Sequence, residues 1–449
     1  MTQTTEAPSG VETYLSLFER LDPEWSRNGR EWLAPIRRGA IARFGETGFP
    51  TRRSEQWRHC DLRRLRETAF QRVEAVVEGD RLRDAVARFD FGGLDAHRLV
   101  FVNGRYSAEA SSIGEPASGT TIRPLAEAIE EGADILRARL TQLAKSDGHP
   151  FVALNTAFFE DGAFVHVERG RAPDKPIHMI HLSASPGGDA AAHPRILIVA
   201  EESAELQVIE SYGSIGAGET YLTNAVTEIF AGRNATVRHS KLQVESDASY
   251  HMATLSARLE RDATFASHVA TFGGALARQE SEALLDGEGA HCTLNGLYLA
   301  NNSQHVEHMT RLDHAKPHCD SFQVFKGIVD DRASGVFNGH ILVREGAQKT
   351  DAKQSSHNLV LSDAGRADAE PQLEIFADDV KCTHGATIGR LDETPLFYLQ
   401  SRGIDRSAAK TILTIGFANE VLERMEIEPL RDHCEALVRA HFQAKTEGE

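Results

Sequence analysis

Cysteine is scarce in this chain. Its 449 residues hold five, Cys60, Cys292, Cys319, Cys382 and Cys434. They are scattered and odd in number, which excludes a disulfide framework and fits a reducing, cytoplasmic compartment. Positive charge is also short, with 49 Lys and Arg against 66 Asp and Glu, a formal net charge of -17. Such a surface does not suit a phosphate backbone or an anionic membrane, so neither nucleic acid nor membrane is an expected partner. No run of about 20 apolar residues exists to span a bilayer. Met1 to Gly10 lacks the apolar segment of a signal peptide and reads as a disordered lead-in. Aromatic residues make up only 7%. No Gly-x-x-x-x-Gly-Lys-Ser/Thr loop occurs, so any ATP would be handled by another chain.

Glycine, by contrast, is plentiful at 36 residues, which favours a fold with many tight turns. The pattern divides the chain into three parts. Residues 1–150 read as mainly helical: Val11 to Leu21, Trp32 to Phe44, Arg81 to Phe89 and, most strongly, Leu125 to Leu143 carry apolar residues at helical spacing. One hairpin interrupts them, where Asn103-Gly104 joins strand-like arms within Leu99 to Tyr106. Residues 151–400 read as strand and turn throughout, with turn signals at Asp161-Gly162, Asp286-Gly287, Asn295-Gly296 and Asn338-Gly339. A short motif recurs at Ser203-Ala-Glu-Leu206, Asn234-Ala-Thr-Val237, Asp262-Ala-Thr-Phe265 and Gly289-Ala-His-Cys292. Its alanines are 31, 28 and 27 residues apart, a quasi-period that suggests the coils of a β-solenoid. Residues 401–449 read as helical again, with an amphipathic stretch from Ser407 to Met425 and a continuation from Asp432 to Phe442. Such a tail can cap a solenoid or dock a partner.

Four features could carry chemistry. Cys382 and His384 lie two apart on a probable strand, so both point to one face with Thr383 opposite. A soft sulfur beside an imidazole suits iron, copper, zinc or sulfur transfer. His305, His308, His314, His318 and Cys319 are dense enough to offer zinc or iron ligands, but their spacing matches no standard motif. The acidic pairs Asp330-Asp331 and Asp378-Asp379 raise a carbohydrate-active β-helix enzyme as an alternative. Neighbours on a strand face opposite ways, however, and form no facing dyad. Arg52, Arg53, Glu55 and Trp57 read as a helix cap with a surface tryptophan.

A longer set of motifs points to a family. The block contains Asp313-His-Ala-Lys-Pro-His-Cys319, Phe325-Lys-Gly-Ile328, Gly335-Val-Phe-Asn-Gly339 and Ala347-Gln-Lys-Thr-Asp-Ala-Lys-Gln354. It continues with Asn358-Leu-Val-Leu361, Ala377-Asp-Asp-Val-Lys-Cys-Thr-His-Gly-Ala-Thr387 and Leu396-Phe-Tyr-Leu-Gln-Ser-Arg-Gly-Ile404. Near the start stands Phe49-Pro-Thr-Arg-Arg-Ser-Glu-Gln-Trp57. Together they resemble the SufD branch of the SufB/SufD family of the SUF iron–sulfur cluster assembly machinery. The SufB branch reads Glu-His-Glu-Ala-Thr where this chain has Thr383-His-Gly-Ala-Thr387. SufB also carries an essential cysteine shortly upstream, where Leu361 to Asp368 has none.

The resemblance implies a mainly β fold, with a right-handed parallel β-helix core flanked by N-terminal and C-terminal helical regions. It implies a non-ATPase scaffold subunit that pairs with SufB and binds the SufC ATPase through its C-terminal helices. The pair would build and transfer a nascent iron–sulfur cluster, the cargo of the complex. His384 would sit at the SufB interface as a ligand or proton mover, with Cys382 as a second candidate ligand. A homodimeric iron or persulfide carrier is the alternative function, and flavin association is left undecided.

Overall fold

The computed structural model describes residues 10–27, 29–68, 70–73, 77–185 and 189–448. Of the expected disordered lead-in only Gly10 falls among them, and it opens the helix Gly10–Trp25. The rest of that lead-in lies outside the described residues.

Two parallel sheets wind around one lumen. The first sheet runs, in spatial order, from Arg366–Ile375 through Ser334–Val343, His305–His314, Leu276–Leu285, Tyr250–Leu259 and Tyr221–Ala231 to Arg195–Ala200 and Gly162–Val167. The second runs from Lys381–Gly389 through Asp351–Val360, Asp320–Val329, His291–Ala300, Thr264–Thr271 and Thr236–Val244 to Glu205–Ser214 and Ile177–Ser183. Successive strands alternate between the sheets, so the chain is a mainly β parallel solenoid flanked by helices. Parallel pairing without slippage stacks equivalent positions into columns. One inward column reads His239, Ser267, Leu294, Gln323, Gln354, His384. Period-2 alternation sends neighbouring columns outward.

The recurring alanine motif marks a corner of the coil. Ser203, Asn234 and Asp262 adopt left-handed backbone with φ of 60°, 57° and 56°, a conformation that short polar side chains tolerate. The alanine that follows each, Ala204, Ala235 and Ala263, is buried in the lumen core. The quasi-period near 30 is therefore one turn of the solenoid.

Three local expectations are corrected. Asn295-Gly296 and Asn338-Gly339 are not turns; they lie within the strands His291–Ala300 and Ser334–Val343. Their glycines make room in the lumen. A Cβ on Gly296 would lie 2.4 Å from the Phe325 ring, and one on Gly339 would lie 2.1 Å from Gln354 Nε2. The stretch Leu125 to Leu143 is two short helices, Leu125–Glu131 and Asp134–Arg139, because Gly132 ends the first in left-handed backbone at φ 75°. Residues 151–400 are not all strand and turn either, since Pro150–Phe158 and Glu393–Ser401 are helices. Residues 151–158 are buried on every side, which erases the helical hydrophobic stripe.

Helices cover the outer faces. An aromatic set including Tyr14, Phe44, Phe49 and Phe158 meets edge to face and packs with Leu222, Met252 and Leu276 on the first sheet. The helices Arg406–Leu422 and Glu428–Gly448 lie on the second sheet, where Ile415, Ala418, Val421 and Leu430 meet Leu242, Ala270, Leu297 and Ile328. The C-terminal helices thus spend their apolar stripe on the side of the solenoid and leave its end open.

Candidate functional site at the open end of the solenoid

Cys382 and His384 lie on Lys381–Gly389, the last strand of the second sheet. Ladder pairing sets Cys382 beside Ala352 and His384 beside Gln354. Ala352 and Gln354 are both buried, so the pair occupies the inward face, above the lumen. Cys382 is half-buried and packs against the interior apolar cluster. Burial pushes its thiol up, with a further rise from the Asp351 carboxylate. In the isolated chain it is therefore a neutral thiol. His384 is exposed at the mouth, because no further coil covers it among the described residues.

Beneath His384 the column is polar and incompletely bonded. Gln354 is only 3% exposed, yet both its Nε2 and Oε1 lack a hydrogen-bond partner among the described residues. Gln323, one coil deeper, accepts from Thr310 Oγ1 at 2.7 Å but leaves its own Nε2 unpaired. Buried amides in this state normally find a partner. Here they line the axis that opens at His384. Around the mouth the rim is apolar. Ile375, Phe376 and Ile388 are 40%, 64% and 51% exposed. Neither Arg366–Ile375 nor Lys381–Gly389 has a further strand on its outer edge among the described residues. The arrangement is a half-built surface: two open strand edges, an apolar rim and one imidazole over a polar column.

The other sequence candidates separate. His308 and His314 point into the lumen, six residues apart on one strand, or roughly 20 Å. Burial lowers them to about 3 and about 4. His308 meets Thr271 Oγ1 at 3.1 Å and His314 meets Ser321 Oγ at 2.9 Å. His305 lies on the outer face, bonded to Ser334 and Glu307, while His318 sits at a corner with φ 59°. The four histidines do not converge. Cys319 is buried and donates to the Gly287 carbonyl at 3.2 Å. The acidic pairs serve corners between coils: Asp331 accepts from the Asn302 amide at 2.9 Å and Asp379 pairs with Lys349. They form no dyad. Trp57, expected at the surface, is buried because the Arg278 guanidinium lies 3.8 Å over its ring.

Two parts of the site escaped sequence reading. Gln354 stood inside a recognised motif, but only the ladder shows that it underlies His384. The rim residues Ile375 and Ile388 continue the inward alternation of their strands, and only the missing next coil makes them exposed.

Comparison with known proteins identifies the family. The family model "SUF system FeS cluster assembly, SufBD core domain" matches residues 181–417, and "SufBD protein N-terminal region" matches residues 9–179. The iron–sulfur cluster assembly protein SufD of Escherichia coli is 33% identical over 433 residues, covering 96% of each chain. An iron–sulfur cluster assembly SufBD family protein of Synechocystis is 33% identical, covering 89% of each. SufD of Bacillus subtilis is 28% identical over 66% of this chain and 67% of its own. With both family models spanning the solenoid and its N-terminal helices, the chain belongs to the SufBD family of iron–sulfur cluster assembly proteins and resembles its SufD members.

Proposed function

We propose that this chain is the non-ATPase scaffold subunit of a SUF complex, pairing with SufB through the open end of its solenoid. The observation that carries this reading is the unfinished end itself. Two unpaired parallel edges and an apolar rim are a liability for a protein that works alone. A partner solenoid continuing the coils would cover both. His384 would then lie in the joint, where it serves as an iron ligand or proton mover for a nascent cluster. The cluster is cargo, shared with donors from the partner. Cys382 ranks second, because its thiol is neutral and half-packed until iron or a partner lowers it. Gln354 supplies an amide to the same mouth.

The C-terminal helices leave one face for SufC. Phe397, Tyr398 and Ile412 are 72%, 57% and 47% exposed, on Glu393–Ser401 and the start of Arg406–Leu422. Much of the rest of the amphipathic stripe is already buried against the second sheet. The few, unpaired cysteines suit a reducing compartment, which supports a cytoplasmic location. Without SufB, the same open end would pair with a second copy to give a homodimer.

Co-expression with SufB and SufC tests the assignment. Ile388→Lys with Phe376→Asp should abolish co-purification with SufB while leaving SufC bound. Phe397→Ser with Tyr398→Ser should do the reverse. Retention of SufB by the first double variant would refute the end-to-end pairing.

A further inference from the structure

We propose that Cys60, His305 and Glu307 bind a divalent metal ion of the zinc class, at the seam between the N-terminal helical region and the outer face of the solenoid. The thiol sulfur, an imidazole nitrogen and a carboxylate oxygen of these residues lie within 4.8 Å of one another. A thiolate, an imidazole and a carboxylate are the donor types that zinc selects. All three residues are largely shielded. Cys60 and Glu307 are each 1% exposed and the His305 side chain is 16% exposed.

The donors are held from behind. His305 Nδ1 bonds to Ser334 Oγ, which leaves Nε2 facing Glu307 Oε1 at 2.8 Å. Glu307 Oε2 is paired with Arg278. Arg278 is fixed in turn over the Trp57 ring, three residues before Cys60. Hydrogen bonds of this kind, to the atoms of a ligand that do not touch the metal, orient metal-binding side chains. An ion between Nε2 and Oε1 would replace the proton they now share. Opening that pair to tetrahedral separation needs a shift of about half an ångström, given metal–donor distances of roughly 2.0–2.3 Å.

Charge also closes. Arg278 is flanked by Glu280 as well as Glu307, so Glu280 offsets the guanidinium. The Glu307 carboxylate and a Cys60 thiolate then neutralise a dication. Until metal binds, burial keeps the Cys60 thiol protonated, and binding releases that proton. Access is from the open cleft that His305 lines with Asp61, Arg63, Tyr250 and Ser303. The fourth ligand is a water from that cleft. The ion would staple residues 57–60 to the strand His305–His314. The site is distinct from His384, and its failure would leave the scaffold reading untouched.

The test uses the full-length chain, stripped with chelator and titrated with cobalt(II), then zinc(II). Wild type should bind one cobalt with a near-ultraviolet thiolate-to-cobalt charge-transfer band. Cys382→Ser should keep the band and Cys60→Ser should lose it. Zinc should displace the cobalt, and His305→Ala should weaken zinc binding at least tenfold. If Cys60→Ser does not fold, alkylation of wild type in moderate urea, where the seam opens transiently, reports instead: zinc should slow alkylation of Cys60 while Cys382 stays as reactive as before. Absence of the band in folded wild type, its persistence in Cys60→Ser, or equal alkylation of Cys60 with and without zinc would overturn the proposal.

Discussion

Gly335→Ala is a small change with a calculable cost. Gly335 faces the lumen one coil below the terminal strand Arg366–Ile375, and its missing Cβ is occupied by a neighbour. A Cβ there would lie 2.4 Å from Tyr298 Cε2, 2.6 Å from its Oη and 2.8 Å from Cζ. The ring cannot retreat. On its other side a Cβ at Gly327 would lie 2.2 Å from Tyr298 Cζ, so the tyrosine fills the space of two glycines. Tyr298 is fully buried, its hydroxyl donates to Asn358 Oδ1 at 2.5 Å, and His308 stacks on it with centroids 5.6 Å apart. Backbone conformation does not oppose alanine, because Gly335 is an ordinary strand residue whose φ is not positive. Replacing glycine in a strand gains about 0.5–1 kcal/mol. Overpacking a rigid core costs about 1–3 kcal/mol. Three contacts under 3.0 Å put the cost in the upper half of that range, so the net expectation is a loss of about 1–2 kcal/mol, read as a lower urea midpoint at unchanged slope. In a Tyr298→Ala background the clash is gone, and the same substitution should become neutral or stabilising. That reversal of sign is a coupling of about 1–3 kcal/mol. A neutral or stabilising Gly335→Ala in the wild-type background would refute the packing argument.

Acid should unfold the solenoid early. Burial depresses His178, His193 and His308 to about 3, and His181, His268 and His314 to about 4. A depressed base contributes stability that is full above the unfolded value near 6.5 and is lost as pH falls. At pH 5 each has lost about 2 kcal/mol, and six together approach the whole stability of a domain. The transition followed by circular dichroism should centre between pH 6.5 and 4, and a native spectrum at pH 3.5 would contradict the buried neutral state. Glu228→Ala should cost about 3–5 kcal/mol, as expected for breaking a buried ion pair. Glu228 pairs with Arg195 at 2.6 Å with both side chains fully buried, and it also accepts from the amides of Thr141, Leu143 and Ala144. Hydrogen exchange should show those three amides losing protection; unchanged protection would mean the loop is held by other contacts.

What could be read from the chain followed the reach of each signal. The corner motif at Ser203, Asn234 and Asp262 was legible because the left-handed residue and the buried alanine after it are adjacent. Strand placement of Cys382 and His384 was legible because alternation is local. Asn295-Gly296 and Asn338-Gly339 misled because glycine has two uses, freedom of backbone and absence of volume. Only the positions of Phe325 and Gln354 tell which applies. Pro150–Phe158 carries no helical signal because a helix buried on all sides has no polar face to set its period. Leu125 to Leu143 reads as one helix because Gly132 breaks it without breaking the apolar spacing. The mouth of the lumen and the trio Cys60, His305 and Glu307 were beyond local pattern altogether. Each depends on stacking coils, or on contact across more than two hundred residues.

The central claim is that the open end of this solenoid supplies His384 to a cluster site shared with SufB. The most direct measurement is anaerobic cluster assembly on a co-purified complex with SufB and SufC, wild type against His384→Ala, followed by ultraviolet–visible absorption. His384 is exposed and contributes no core packing, so the variant complex should assemble with unchanged stoichiometry. The account predicts that it then fails to develop the iron–sulfur absorption seen in wild type. An intact variant complex that forms clusters at the wild-type yield would contradict it.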